Sequence, residues 1–262
     1  MTFQIDKAFT NQELRIPIET FGSQRIVCRA FNPKKPRTVY FDTAPIINGK
    51  DIFVVKIPKI PEVVYLEIYN EKNGNNLRHD PTFKVGTIQI APIKGSFGIT
   101  GMDAKLKSFA DFSDFFAENA AILSSQNSIY RSDDGKFRID YKDVIRDENG
   151  RELRTPARVN SKTKIIEIAK KYYLNYTVPA RKALNWHEYA HVHINSNPED
   201  EIEADKHAIT IYLGTGNPII EAYNVFLKVF HNTPSDLNKR RYIELNNFIK
   251  NFYKNISKPN LS

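Results

Sequence analysis

Cysteine is nearly missing from this chain. Cys28 is the only one in 262 residues, so an intrachain disulfide framework and a cysteine-based zinc knuckle are both excluded. A protein without disulfides suits a reducing compartment, or an assembly that never needs oxidative folding. Long apolar runs are missing too, since none approaches the roughly 18 residues that a membrane span requires. The stretch MTFQIDKAFTNQELRIP lacks a basic segment followed by an apolar core, so it does not read as a secretory signal. The expected location is cytoplasmic or virion-associated, with no membrane partner. Internal repeats and low-complexity segments are also absent.

Positive charge is in excess, at a net +8, but it is not gathered. Lysines and arginines alternate with acids, and the densest clusters are the short NPKKPR (32–37) and NKRR (238–241). No aromatic-and-basic strand motif or finger spacing accompanies them, so nucleic acid is not the expected partner. An acidic protein surface fits the same charge.

What is present changes period along the chain. ELRIPIET, QRIVCRAF, RTVYFDT, KDIFVVKI, EVVYLEIYN and TFKVGTIQIA are short, rich in Val, Ile, Tyr, Phe and Thr, and separated by Gly, Pro and Asn punctuation. Close strand spacing with no helical run between predicts an antiparallel β-sandwich or barrel over 1–97, a docking or structural module. Leu106, Phe109, Phe112, Phe116 and Ala120 then recur at helical spacing, predicting an amphipathic helix over 103–123. KFRIDYKDVI and ARVNSKTKIIEIA read as strands. Helices are expected at about 178–194, 199–213, 217–231 and 235–254. The whole is α+β, with a second, mainly helical domain over 98–262.

Four of the six histidines fall between Leu184 and Ala208. His187-Glu188-Tyr189-Ala190-His191 is an HExxH: at about 100° per residue both imidazoles lie on one face, one turn apart, and reach a single cation. Glu188 sits beside that face, placed to touch a metal-bound water without being a ligand. Asn197 reads as the cap of the next helix and Pro198 as its first residue. On that helix Glu201 and Asp205 are again i and i+4. A short loop folds the two helices into a hairpin, bringing Glu201 opposite His191. Two histidines and a glutamate leave a fourth position for water, the ligand set of a catalytic zinc site. Asp205 would accept the free N–H of one ligand histidine.

HExxH followed by Glu201-Ile202-Glu203-Ala204-Asp205-Lys206-His207-Ala208 resembles the gluzincin metallopeptidases, with ExxADxxA closest to the CAAX-prenyl-protease and heat-shock-peptidase branch. The resemblance covers about 103–250. It implies a zincin-like domain with His187, His191 and Glu201 as zinc ligands, Glu188 as general base and Asp205 as the orienting carboxylate. The implied activity is hydrolysis of a peptide bond in a peptide or protein substrate by zinc-activated water. In zincin-like folds a sheet edge beside the metal aligns an extended peptide, and RVNSKTKIIEI (158–168) is the candidate edge. The chain departs from that branch in having no spanning helices and only ten positions from His191 to Glu201. HNTPSDLNKRR (231–241) only echoes the branch's later THP and arginine, which makes His231 the first candidate to stabilise the oxyanion, with Arg240 or Arg241 behind it.

His193 is rotated about 240° from His187, onto the face of Trp186 and Ala190, and reads as a packing residue. His207 points away from Asp205, and His79 belongs to a loop of the first region. The bland alternative is a pair of solvated polar helices without metal, which leaves the i, i+4 spacing on both helices unexplained. The functional alternative is a structural component of a larger assembly, such as a phage or virus particle, held through the β domain and carrying a zinc-binding or vestigial zincin domain.

Overall fold

Period-two alternation of Ile and Val with polar residues builds the first strands of the chain, here described from a computed structural model. The structure describes residues 1–6, 10–59, 63–75, 79–93, 103–126, 128–160, 163–232 and 235–256. The chain is mixed α+β and divides into two compact units, Met1–Ser96 with Gly216–Pro218 and Phe97–Thr215 with Ile219–Ser262.

The first unit holds β1 (Thr2–Asp6), β2 (Gln12–Asn32), β3 (Lys35–Thr43), β4 (Ile46–Lys56), β5 (Val63–Asn70), β6 (Phe83–Val85) and β7 (Gln89–Pro92). They form a seven-stranded sheet with order β1-β5-β2-β3, in which β4, β6 and β7 also pair with β2. Every pairing is antiparallel. A closed barrel, one of the two expected forms, is not what forms among the described residues. Closure requires every strand to have two neighbours, whereas β1 and β3 each pair with one.

Two strands expected at 13–20 and 24–31 are one strand of 21 residues. Gly22, at φ +78, takes up the bend between its halves, and the register with β4 shifts between Glu19 and Ser23. Conversely, the single strand expected at 82–91 splits into β6 and β7 around Gly86. The Gly86 N–H bonds Pro17 O at 2.8 Å, and a Cβ there would stand 3.1 Å from the Pro17 Cβ. Ile16, Ile26, Cys28, Leu66 and Ile68 are buried in this unit. Burial pushes the Cys28 thiol pKa well up, so the lone cysteine is an inert core residue.

The second unit begins with α1 (Ala104–Asn119), capped by Asp103, whose carboxylate accepts from Leu106 N at 2.7 Å. Then follow β8 (Ser128–Arg131), β9 (Arg138–Lys142), β10 (Ile145–Arg146), β11 (Glu152–Leu153), β12 (Ala157–Val159) and β13 (Ile166–Ala169). The helices α2 (Lys170–Tyr173), α3 (Val178–His193), α4 (Glu201–Gly214), α5 (Ile219–Asn232) and α6 (Asp236–Ile256) complete it. A four-stranded sheet has the order β12-β13-β9-β8. Only the β13–β9 pairing is parallel. The strand expected over 157–169 is in fact the hairpin β12–β13, turning where Lys164 N bonds Asn160 O at 2.8 Å. Lys164 occupies the left-handed region there, at φ 57. Aromatic rings from α1, β9's approach and α3 fill the core: Phe109 lies 4.9 Å from Trp186, 4.2 Å from Tyr189 and 5.2 Å from Phe137 between centroids. No described helix is long and apolar enough to cross a membrane.

One buried carboxylate ties the edge of this sheet to its centre. Glu167 on β13 is 4% exposed and accepts from Arg158 Nε on β12 at 2.6 Å and from Lys142 Nζ on β9 at 2.7 Å. Burial pushes its pKa up, but the two cations outweigh burial and hold it below the ordinary value. A depressed folded pKa contributes stability above the unfolded value, and that stability is lost as pH falls. Both cations are a third exposed, so solvent screens the pair. Glu167→Gln is therefore expected to lose only about 1–2 kcal/mol at pH 7. Its stability should also fall less than the wild type's between about pH 5 and pH 3. Urea melts at a series of pH values test this, and parallel pH dependences for the two proteins would refute it.

Candidate metal centre

A helix buried on nearly every side must find partners for each polar side chain it carries. From Val178 to His191, α3 is such a helix. Thr177 caps it through Ala180 N, with Pro179 in the first turn. Arg181 is fully buried and donates to the carbonyls of Ala117 (3.0 Å) and Tyr173 (3.3 Å). Lys182 pairs with Asp114 at 2.8 Å. Asn185 accepts from Tyr173 Oη at 2.9 Å and donates to Ser113 Oγ at 3.0 Å. These contacts fix the rotation of the helix, and with it the direction in which His187, Glu188 and His191 point.

His187 and His191 meet Glu201 from the first turn of α4, and their ligand-type atoms all lie within 4.8 Å of one another. The two Nε2 atoms are 3.0 Å apart. Glu201 Oε2 is 3.3 Å from His187 Nε2, and Oε1 is 3.7 Å from His191 Nε2. Ligand atoms about 2.0–2.1 Å from one tetrahedral cation stand roughly 3.3–3.4 Å apart. The Nε2–Nε2 separation and the approach of the nearer Glu201 oxygen to each imidazole are of that order, so this group can hold a metal ion.

The outer contacts set the tautomers. His191 Nδ1 lies 2.6 Å from Pro198 O; a carbonyl only accepts, so Nδ1 carries the proton and the Nε2 lone pair is free. His187 Nδ1 is 3.0 Å from Asp205 Oδ1, a close ion-pair contact that does not have hydrogen-bond geometry. The Asp205 carboxylate favours a proton on Nδ1, and Nε2 faces His191 and Glu201, where it would carry a lone pair for a cation or, in its absence, a second proton. Two lone pairs 3.0 Å apart repel unless a cation or a proton lies between them. Burial opposes a charge on His187, but Asp205 and Glu201 prevail and push its pKa up to about 10. Burial pushes the Glu201 pKa up, but the contacts with both histidines and the positive charge of Arg241 prevail and hold it far below the ordinary carboxylate value. The pocket is built to receive positive charge.

The Pro198 contact depends on where α4 begins. The expected cap was Asn197 with Pro198 as the first helical residue; instead Asp200 is the cap, accepting from Glu203 N at 2.9 Å. Asn197 closes a separate turn, in which its carbonyl accepts from Asp200 N at 3.0 Å and its side chain from Glu199 N at 3.1 Å. Because Pro198 lies before the helix, its carbonyl is not drawn into the helical ladder and can face His191.

Glu188 differs from its neighbours on α3. It is 6% exposed, yet its carboxylate makes no hydrogen bond among the described residues. Burial raises its pKa, while the histidines on either side pull it the other way. Buried carboxylates are ordinarily paired, and one that is not is a mark of a working site. Glu188 also lines a cleft of about 330 Å³ with His187, His191, Glu201 and Arg241.

β12 lines the same cleft through Ala157, Arg158 and Val159. It pairs only with β13, so one edge is unpaired among the described residues. Ladder bonds at Asn160 N to Ile165 O and Ala169 N to Pro156 O assign Arg158 to the β13 side. Ala157 and Val159 then present their N–H and C=O groups outward, where the Ala157 carbonyl already accepts from Thr155 Oγ1 at 2.7 Å. The edge expected at 158–168 thus narrows to the first strand of a hairpin.

No family model, curated protein or solved structure matches this chain.

His193, His207 and His79 make their contacts apart from the cluster. His193 packs edge-on against Phe137 at 5.3 Å and beside Tyr189 at 4.7 Å, and burial brings its pKa down to about 4. His207 Nδ1 contacts Asn195 Oδ1 at 3.0 Å, and His79 is exposed in its loop. The oxyanion candidate His231 belongs to α5, but its side chain lies outside the described residues. Arg240 is exposed on α6. Sequence reasoning missed the Pro198 carbonyl and the contacts of Arg241, which bonds both oxygens of Asp205 and one of Glu201. No local spacing announces either.

Proposed function

We propose that the second unit is a zincin-like domain and that the protein is a zinc-dependent metalloendopeptidase. The observation that carries this reading is Glu188: a carboxylate 6% exposed, lining the cleft and bonding no described residue, beside a His187, His191 and Glu201 group of metal-binding dimensions. A purely structural site has no use for such a group. Two imidazoles and one carboxylate form a donor set typical of catalytic zinc, with a position left for water. Bound zinc supplies Lewis acidity, which acidifies water and polarises a carbonyl. Glu188 takes one proton from the attacking water as the new C–O bond forms. It delivers that proton to the amine as the C–N bond breaks. An extended substrate lies along the outward N–H and C=O groups of Ala157 and Val159, continuing the sheet by one strand. The first unit, whose strands we read as a sandwich, contributes no metal-ligand cluster among its described residues, and we assign it to docking a substrate or partner.

The test is elemental analysis of protein purified without added metal, followed by cleavage of a peptide library. The expected result is about one zinc per chain, and cleavage that chelation stops and zinc restores. Failure to take up zinc would make the hairpin a polar structural module. Cleavage indifferent to chelation would remove the metal from the chemistry.

A further inference from the structure

Arg241 was expected, behind His231, to steady the charge on a reacting carbonyl. Its contacts point elsewhere. Nε and Nη2 each lie 2.8 Å from an oxygen of Asp205. Nη1 lies 2.9 Å from Glu201 Oε2 and 3.4 Å from Asn238 Oδ1. All three nitrogens are engaged, and the residue is 7% exposed. We propose that Arg241 is a positioning residue, which spans Glu201 and Asp205 and so sets the third metal ligand and the orienter of His187 together.

The physical need for such a span is plain. Glu201 and Asp205 are one helical turn apart on the same face of α4, and both close on His187. Two carboxylates so near each other repel, and with Asp205 buried, at 1% exposed, solvent screens that repulsion from the Glu201 side alone. A planar guanidinium binds one carboxylate in a fork and still offers a nitrogen to the other, a geometry that an ammonium cannot reproduce. Glu201 Oε1 remains turned toward His191 while Oε2 is held by Arg241. Asp205 Oδ1 is held against His187 Nδ1 while both its oxygens are bonded. Since Arg241 stands on α6, the docking of that helix completes a site whose ligands all come from α3 and α4. The effect passes through other residues: Arg241 acts on zinc affinity rather than on the reacting atoms.

This inference rests on the zinc reading above, and the experiment separates the two. Zinc dissociation constants would be measured by chelator competition for wild type, Arg241→Gln, Asp205→Asn and the double variant, with circular dichroism reporting the fold. Arg241→Gln is expected to bind zinc about 10–100-fold more weakly, the usual cost of losing an outer contact. Added guanidinium ion should recover part of that loss, which a general packing defect would not allow. The losses in the double variant should fall short of the product of the single ones, because both act on one contact. Should Arg241→Gln not fold, Arg241→Lys carries the test. It keeps the charge without the fork, and is expected to bind about tenfold more weakly. Wild-type affinity in a folded Arg241→Gln or Arg241→Lys, or losses that simply multiply, would overturn the role given to Arg241. No zinc binding by the wild type would overturn the metallopeptidase reading as well.

Discussion

Glu188→Gln is expected to lower peptide hydrolysis by roughly 10³-fold, the scale of a lost general base, while zinc stoichiometry and fold stay as in the wild type. The amide has almost the volume of the carboxylate but cannot take a proton from water. Its effect on stability should run opposite to that of most buried substitutions. Glu188 makes no hydrogen bond among the described residues, and burial alone already resists its charge. A neutral amide costs less to bury than an unpaired carboxylate, so the melting temperature should be unchanged or higher. The combination is diagnostic: activity lost, metal kept, stability kept or raised. Cleavage at the wild-type rate would remove Glu188 from the chemistry. Loss of zinc in this variant would make Glu188 a ligand rather than a base.

Glu201→Ala carries the second large effect, on metal rather than rate. Glu201 supplies the only oxygen donor of the His187, His191 and Glu201 group. Its removal should weaken zinc binding by about 10³-fold, beyond the roughly 10–100-fold of an outer contact. The loss has two parts. A ligand disappears, and Arg241 Nη1 loses the acceptor at 2.9 Å, leaving a cation beside the vacant position. Glu201→Gln keeps an oxygen of similar reach without the charge, so it should fall between wild type and alanine. Chelator competition reads all three. An unchanged dissociation constant in Glu201→Ala would require another third ligand and would undo the assignment of α4 to the metal site.

The two substitutions also separate the proposed peptidase from its main alternative, a structural component of a larger assembly with a zinc-binding or vestigial domain. For a zinc that only stabilises the fold, Glu201→Ala destabilises the protein and Glu188→Gln changes no reaction. For a peptidase, Glu188→Gln silences a folded, zinc-loaded protein.

Local geometry made much of the candidate site legible in the sequence. His187 with His191, and Glu201 with Asp205, are i, i+4 pairs, and any α-helix puts such pairs on one face whatever surrounds it. The position of Glu188 beside the ligand face follows from the same 100° step. The change from strands to helices was legible for a similar reason, since apolar periods of two and of 3.6 are properties of short segments.

Only the tertiary structure decided the rest, because it depends on contacts between residues far apart in the chain. Arg241 reaches Asp205 across 36 positions, and no spacing rule relates an arginine on α6 to a carboxylate on α4. Competition among nearby hydrogen bonds placed the cap at Asp200 rather than Asn197, leaving the Pro198 carbonyl for His191. Pairing partners divided 157–169 into a hairpin and 82–91 into two strands, and joined 12–32 into one. The isolation of Glu188 is also a tertiary fact: a helix face decides where a carboxylate points, but the packing around it decides whether anything there bonds to it.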